Sequence, residues 1–316
     1  MSNKARKKAR HHATTTANTA AVDRSTAMRL AQLATTCDSL AEYAAALRHL
    51  SDSLRDRGLP CGRGTWRYYL DRAAASLEAG QIPGDVFKKG GNRKLPFFAW
   101  STLPIVTCPG AGDCVEWCYS LKAWRYPAAF MRQAFNTLRL RFCKRSIIEA
   151  VRALPRGTTC RLYVDGDFDS AATVLFWANL MRQRPDVAFY GYSKSWELLE
   201  RHGAALPGNY ALNLSSGSRY AHDSPVAQSL EGMPFVRGWF VALPIDGKHA
   251  RGFARYKSRA YHQAVRKAAA EAGLVGAFSC TGDCGPCGAG DHLCGRNGGH
   301  DGSGTVFHGP IVIGVH

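Results

Sequence analysis

The feature that most constrains the fold is an alternation of short apolar runs with amphipathic segments from residue 161 onward. The runs typical of strands are 161–164, 187–192, 210–214, 238–243 and 276–278, with an earlier one between residues 95 and 106. The segments typical of helices between them are 171–182, 196–202 and 256–272. Strands that alternate with helices favour a parallel sheet with right-handed crossovers. We therefore predict an α/β fold, a partial (βα)6 TIM-like barrel.

Polar residues follow the predicted strands at the point where each strand ends. They are Asp165, Asp167, Lys194, Ser215 and Ser216, followed by Arg219, with Cys108 and Cys280 after the first and last strands. In an α/β barrel the carboxyl ends of the strands form the face that carries the active site. The sequence thus predicts catalytic roles for Asp165, Asp167 and Lys194, as a general base, a cation ligand or a phosphate ligand. It predicts cofactor binding by Asp167, Ser215, Ser216 and Arg219, which could meet an ammonium, phosphate or carboxylate group.

Simpler explanations of these polar residues stay open at this point. Asp169 or Ser170 suits the amino-terminal cap of the following helix. Lys194 suits an ordinary salt bridge at the rim of the sheet, with Asp165 as its partner. No G-x-x-x-x-G-K-[ST] or G-x-G-x-x-G motif supports a nucleotide site.

Seven of the eleven cysteines fall into two motifs. The amino-terminal cysteine motif, C-x5-C-x3-C, is Cys108, Cys114 and Cys118, and the carboxyl-terminal cysteine motif, C-x3-C-x2-C-x6-C, is Cys280, Cys284, Cys287 and Cys294. Three thiolates leave one coordination position open, whereas four close a site. We predict metal ligation by both motifs, as one or two [4Fe-4S] clusters. The alternative is zinc, with the first motif completed by a histidine or by a cysteine of the second motif.

The composition of the chain indicates its cellular compartment and its possible partners. There is no amino-terminal apolar run with a cleavage site and no apolar stretch of about 18 residues, so we expect a cytoplasmic protein with no membrane partner. In a reducing compartment clustered cysteines are typical of metal or redox sites. The formal net charge of +17 favours association with polyanions, so nucleic acid is a candidate partner through the basic surface and tail.

Shifts in composition divide the chain into three predicted parts. Residues 1–24 are basic and lack hydrophobic periodicity, which predicts a disordered tail. Residues 25–84 have two amphipathic segments that end at Gly58 and Gly80, and they predict a helical extension. Residues 85–316 contain the predicted barrel and both cysteine motifs.

Several sequence motifs resemble those of the phage-encoded "gene product 88" family. They are 91–96 (GNRKLP), Trp100-Ser101, 107–111 (TCPGA), Cys114, Cys118-Tyr119, 162–168 (LYVDGDF) and 192–195 (YSKS). The three-cysteine loop followed by βα units is also similar to the wider radical S-adenosylmethionine (SAM) group. That resemblance implies a [4Fe-4S] cluster on the three cysteines, SAM on its open iron, and Gly166-Asp167 near the amino group of SAM. The spacing differs from the usual C-x3-C-x2-C of that group.

Together these observations predict an iron-sulfur-binding, radical-SAM-like protein of phage or mobile-element origin that acts on nucleic acid or a nucleotide. The rival hypothesis is a non-catalytic, zinc-stabilised nucleic-acid-binding protein, in which the positive charge is the functional feature.

Overall fold

The computed structural model describes residues 16–18, 20–88, 95–247, 258–282, 284, 294–295 and 309–315. Its helices are α1 (Arg24–Thr36), α2 (Leu40–Asp56), α3 (Trp66–Glu78), α4 (Pro127–Phe142), α5 (Lys144–Arg152), α6 (Ala171–Arg182), α7 (Trp196–His202), α8 (Pro225–Glu231) and α9 (Arg259–Glu271). Its strands are β1 (Phe98–Ala99), β2 (Thr159–Leu162), β3 (Ala188–Ser193), β4 (Tyr210–Ser215), β5 (Val236–Pro244), β6 (Phe278–Ser279) and β7 (Ile311–Val315). Over these residues, no helix combines the length and the apolarity needed to cross a membrane.

The chain divides into two compact units, each built from separate stretches of sequence. The first unit comprises Met1–Val86, Ser101–Thr107 and Trp117–Glu149, and the second comprises Phe87–Trp100, Cys108–Glu116 and Ala150–His316. This division differs from the single predicted boundary at residue 85. The reason is that α4 buries apolar residues, among them Phe130 and Leu138, in the same core as the amino-terminal helices.

In the first unit, the two predicted amphipathic segments of the helical extension are α2 and α3, which pack along each other. The Ser39 hydroxyl accepts a hydrogen bond from the backbone N–H of Glu42 (3.1 Å), so Ser39 caps the amino terminus of α2. Tyr43, Leu47 and Leu54 are buried on one face of this helix. Their spacing of four and seven residues is the helical period that the sequence shows.

The described end of the predicted tail is part of the first unit. Residues 1–15 lie outside the described residues, but residues 16–18 are helical. Asn18 and Val22 are buried, and Asn18 Nδ2 donates to the carbonyl of Gly64 at 2.8 Å. Ordered packing therefore begins before the predicted end of the tail at residue 24.

The second unit is built on a seven-stranded sheet in the order β1-β2-β3-β4-β5-β7-β6. Every neighbouring pair is parallel. The predicted α/β class and parallel sheet are thus confirmed. The predicted barrel is not, because β1 and β6 are the outer strands and the described residues of the sheet are open between them.

The sequence prediction missed strand β7. It lies between β5 and β6 and pairs with both, through Ile311 opposite Phe240 and opposite Phe278. The run Ile311-Val312-Ile313 is β-branched, as is typical of a buried strand, and this local signal was available. No local feature of the sequence predicts that β7 lies between β5 and β6, the two strands that precede it in the chain.

Side chains alternate between the two faces of the sheet. Val312 packs with Leu243 and with Tyr261 and Val265 of α9, on what we call the helix face. The opposite surface, which we call the Cys294 face, carries Tyr190, Ala211 and Ile311 packed with Cys294, and partly buried Tyr192 and Phe240 lie against them.

The internal position of β7 gives a testable difference between two valines. Val312 is fully buried, whereas Val275 is 91% exposed. We expect Val312→Ala to lower the free energy of unfolding by about 2 kcal/mol, because it leaves a cavity between the sheet and α9. Val275→Ala should change it by less than about 0.5 kcal/mol. Denaturant unfolding of both variants measures this, and equal effects would contradict the internal position of β7.

Candidate functional site

Asp167 joins the turn after β2 to the end of β3. Its Oδ1 accepts hydrogen bonds from the Phe168 backbone N–H (2.8 Å) and the Ser193 hydroxyl (2.6 Å), and its Oδ2 accepts from the backbone N–H of Lys194 (2.7 Å). The side chain is buried, and burial raises its pKa, while these hydrogen bonds act in the opposite direction. Both carboxylate oxygens thus meet donors of the protein itself. The predicted catalytic and cofactor-binding residue Asp167 holds the end of β3 in place.

Lys194 and Ser215, predicted from the ends of different strands, are brought together. The Lys194 ammonium donates to the Ser215 hydroxyl at 2.8 Å. The pair follows from the sheet, because β3 and β4 are parallel neighbours and both end at this edge. Ser215 is buried and Lys194 is half-buried. This positions a cationic head at the carboxyl edge, where open α/β sheets bind their ligands.

The first part of the amino-terminal cysteine motif is fixed at the same edge by main-chain contacts. The Gly112 N–H donates to the carbonyl of Gly217 (3.0 Å), and the Arg219 N–H donates to the carbonyl of Gly110 (2.9 Å). A Cβ on Gly110 would collide with the Lys194 carbonyl, and one on Gly112 would lie 2.6 Å from the Ser218 oxygen. The glycines of this loop are therefore required for its close approach to the strand ends. Half-buried Cys108 and Cys114 belong to this loop, and the Cys114 N–H also donates to the carbonyl of Gly217 (3.4 Å).

The other predicted ligand residues at this edge make contacts within the protein. Ser216 Oγ accepts from the Ala242 N–H (2.8 Å), which supports the pairing of β4 with β5. Arg219 is exposed and donates to Glu197 (2.6 Å) and Tyr220 (2.9 Å). The predicted capping alternative holds for Ser170, whose hydroxyl accepts from the Thr173 N–H at the start of α6. Asp165 is half-buried beyond the end of β2.

The described cysteines of the carboxyl-terminal motif lie near the Cys294 face. Cys280 follows β6 directly and packs against the Tyr190 cluster that contains Cys294. Cys294 is buried, Cys284 is half-buried, and Cys287 lies outside the described residues. Among the described residues, no three His, Cys, Asp or Glu side chains are grouped closely enough to hold a metal ion. Cys118 belongs to the first unit, and metal ligation by either motif stays a prediction.

Several residues of the Cys294 face were not predicted from the sequence. Arg161 lies over the Tyr192 ring, with Cζ 4.5 Å from its centroid, and Asn213 is fully buried within β4. Burial raises the pKa of Tyr192 well above its ordinary value, so its phenol stays neutral. Arg161 and Asn213 had one signal in the sequence, because both are polar residues inside otherwise apolar strands.

Backbone strain occurs where β2 ends. Tyr163 has a φ of 53°, a left-handed conformation that a bulky residue adopts at a cost of about 1–3 kcal/mol. Its hydroxyl accepts a hydrogen bond from Trp177 Nε1 (3.1 Å), which helps to hold the buried ring. The turn that follows contains Asp165 and Asp167, so the strained residue directs the chain into the candidate site.

These features define an α/β protein with an open parallel sheet and a thiol-bearing loop fixed at the carboxyl ends of its strands. The family model for Gene product 88 matches residues 74–289. This match covers more than half of the chain, so the chain belongs to the Gene product 88 family. No curated protein and no solved structure matches the chain. The resemblance to the radical SAM group stays a prediction.

The seating of the cysteine loop can be tested with two glycine variants. Gly110→Ala should lower the free energy of unfolding by about 1–3 kcal/mol, because the backbone of Lys194 cannot move away as a flexible side chain would. It should also make Cys108 and Cys114 react faster with an alkylating reagent, measured by mass spectrometry. Gly208→Ala is the matched control, since a Cβ there has no neighbour within 4 Å. Identical labelling rates for both variants would contradict the described seating of the loop.

Asp167, which is buried, and Asp186, which lies at the surface, should make the free energy of unfolding depend on pH in opposite directions. Because the folded-state pKa of Asp167 is raised, the native state binds more protons than the unfolded state, and stability falls as pH rises through that pKa. Relative to Asp167→Asn, the wild type should therefore lose stability as pH rises from about 4. The hydrogen bond from Arg184 lowers the pKa of Asp186, so the wild type should gain stability over Asp186→Asn as pH rises. Denaturant unfolding between about pH 3 and pH 7 measures both slopes, and equal signs would refute the assignment.

Proposed function

We propose that this chain is an iron-sulfur protein of phage or mobile-element origin, with a [4Fe-4S] cluster on the amino-terminal cysteine motif and a ligand site at the carboxyl edge of the sheet. The observation that carries the proposal is the seating of the loop that contains Cys108 and Cys114: Gly110 lies against the Lys194 backbone, and the Cys114 N–H donates to the carbonyl of Gly217 (3.4 Å). Ligands of open parallel sheets bind outside the carboxyl ends of the strands, and this loop brings thiols to that place.

The contacts of the loop also favour a functional over a purely structural role for its thiols. Structural zinc sites supply folding energy to segments that have few other interactions. The loop here already has backbone hydrogen bonds to Gly217 and from Arg219, and its glycines pack against the ends of β3 and β4. Its conformation has support that does not depend on a metal, which favours a functional role for the thiols.

A bound [4Fe-4S] cluster would supply one-electron chemistry, and the radical-SAM-like resemblance adds SAM as a ligand of its open iron. The thiolates of the amino-terminal cysteine motif are the soft ligands that such a cluster requires. The chain's own residues would do the rest of the work. Lys194 and Ser215 would orient a carboxylate or phosphate group, Asp165 would accept a proton, and Asp167 would keep Lys194 in position through its main chain.

The proposal includes nucleic acid or a nucleotide as the substrate class. The net charge of +17 supports attraction of polyanions, and a cation at the strand ends suits a phosphate. It also includes a reducing compartment such as the cytoplasm, where thiolate ligands persist.

Anaerobic purification tests the metal assignment. We expect brown protein with a broad absorbance at about 400 nm, and with iron and acid-labile sulfide by chemical analysis. Replacing Cys108 or Cys114 by Ser should remove a large share of the iron. Cys61→Ser is the control, because Cys61 is an exposed cysteine outside both motifs.

The opposite result would be colourless protein that contains stoichiometric zinc and retains it when exposed to air. That outcome would sink the iron-sulfur proposal and would favour the rival, a non-catalytic zinc-stabilised nucleic-acid-binding protein. For that rival, binding to a duplex should weaken steeply as salt rises, because the released counterions supply most of the affinity.

A further inference from the structure

The described residues that carry an excess of positive charge belong to the first unit. There, 15 Lys and Arg accompany 9 Asp and Glu, whereas the described residues of the second unit contain 13 and 12. The imbalance is largest in residues 117–148, which contain seven Lys and Arg and no Asp or Glu. An excess of one charge attracts polyanions of the opposite sign. Over the described residues, a polyanion should therefore be attracted to the first unit.

Asn18 brings two basic segments of the first unit together. Its Nδ2 donates to the carbonyl of Gly64 (2.8 Å) and lies within hydrogen-bonding distance of the carbonyl of Arg125 (3.4 Å). Asn18 is buried, so these contacts are shielded from solvent. The loop that leads into α3 therefore lies beside the residues that precede α4.

A shared aromatic contact holds the same two segments in place. Trp66 begins α3, Trp124 precedes α4, and both rings pack against Phe130, with centroid distances of 5.3 Å and 5.2 Å. All three rings are buried. The amino-terminal end of α3 and residues 122–126 are thus fixed to one helix of the first unit.

Each of these segments places an arginine over a tyrosine ring. Cζ of Arg72 is 5.5 Å from the ring centroid of Tyr68, and Cζ of Arg125 is 5.1 Å from that of Tyr126. Both arginines are exposed and both tyrosines are half-buried, and exposed cations at positions 63 and 122 accompany them. The set that we call the arginine–tyrosine surface is Arg63, Tyr68, Arg72, Lys122, Arg125 and Tyr126.

The cations of the arginine–tyrosine surface are not paired with carboxylates of the described chain. The salt bridges described for the first unit belong to Arg48, Arg55 and Arg145. At the carboxyl edge of the sheet, in contrast, Arg219 is already paired with Glu197. Phosphate groups can therefore pair with the arginine–tyrosine surface without displacing a carboxylate.

The basic residues at the amino terminus join the described chain beside this surface. Residues 1–15 contain five cations, which are Lys4, Arg6, Lys7, Lys8 and Arg10. The description of the chain starts at Thr16, two residues before Asn18, the residue that contacts Gly64 and Arg125. The positive charge of residues 1–15 is thus attached next to the arginine–tyrosine surface.

We infer that the arginine–tyrosine surface binds single-stranded nucleic acid. An arginine guanidinium pairs with phosphate, and an aromatic ring accepts a stacked base. A single strand leaves its bases available for such stacking, whereas a duplex stacks them on one another. The inference rests on the proposed function for its class of partner, nucleic acid, and adds a binding surface that is separate from the residues of the carboxyl edge.

Fluorescence anisotropy of the full chain with a labelled 15-nucleotide oligothymidylate tests the phosphate contacts. Arg72→Gln and Arg125→Gln should each lower the slope of log affinity against log salt by about 0.7, the contribution of one phosphate contact in a single strand. At about 0.1 M salt this corresponds to roughly fivefold weaker binding. Arg55→Gln is the matched control, because it removes the same charge from an exposed arginine of the first unit that pairs with Asp52. Its slope should equal that of the wild type.

Two further variants separate stacking from charge. Tyr68→Leu should weaken binding at least about fivefold with an unchanged salt slope, because loss of a stacked base releases no counterions. Arg72→Lys should keep the wild-type slope, since the charge is retained. Photocrosslinking to a strand that contains 5-iodouracil, read by mass spectrometry, should label Tyr68 or Tyr126. If Tyr68→Leu does not fold, the arginine slopes and the crosslinks still decide.

The contrary outcomes distinguish this inference from the proposed function. Equal or tighter binding of a duplex of the same length would overturn the single-strand assignment. Crosslinks confined to residues 1–15, or wild-type slopes in Arg72→Gln and Arg125→Gln, would overturn the surface. Binding that is lost in Lys194→Gln but kept in those two variants would also overturn it and would favour the carboxyl edge. Wild-type protein that binds the strand at this surface but contains no iron would overturn the iron-sulfur proposal and support this inference.

Discussion

A buried carboxylate at the end of β2 determines the geometry of the whole carboxyl edge. Asp167 accepts the Lys194 N–H and so fixes the main chain at the point where β3 ends. The Lys194 carbonyl in turn accepts from the Ser218 hydroxyl (3.2 Å), and that hydroxyl also lies within hydrogen-bonding distance of the Gly110 carbonyl (3.1 Å). The seating of the cysteine loop therefore depends on a charge that contacts neither cysteine. Burial of a carboxylate costs desolvation free energy, and its hydrogen bonds offset that cost only if the polar groups of the network are satisfied. Here three donors form hydrogen bonds with the Asp167 side chain.

The sequence predicted those parts of the fold and site that depend on short stretches of chain. Strands β2 to β6 and helices α6, α7 and α9 followed from local periodicity, and the Lys194–Ser215 pair followed from the rule that parallel strands end at one edge. The predicted ligand roles of Ser216 and Arg219 had no such basis. Their partners, Ala242 and Glu197, are 26 and 22 residues away in sequence, and no local pattern specifies them.

The difference between the predicted boundary and the two compact units has the same cause. Arg139 of α4 is buried, and its guanidinium donates to the carbonyls of Ile82, Pro83 and Gly84, which are 55 to 57 residues earlier. Three carbonyls at the end of the predicted extension thus accept hydrogen bonds from α4, a helix that follows the cysteine loop in the chain. A shift in composition predicted a boundary at residue 85, but the burial of α4 in the first unit depends on contacts that only the folded chain shows.

The order of the strands explains why the two cysteine motifs meet the sheet in different places. Strands β1 to β5 lie side by side in the sheet in the same order as in the chain. Helix α9, which lies between β5 and β6 in the chain, packs on the helix face. Strand β7 then lies back between β5 and β6, and a right-handed connection in this reverse direction passes over the opposite face. Cys294, which follows β6 and precedes β7, is found on that face, tied to Asn213. The loop with Cys108 and Cys114 is tied instead to Gly217, four residues further along and beyond the end of β4. This is a separation of the two anchoring points along β4 and the turn that follows it. The reversal of strand order is the physical reason for it.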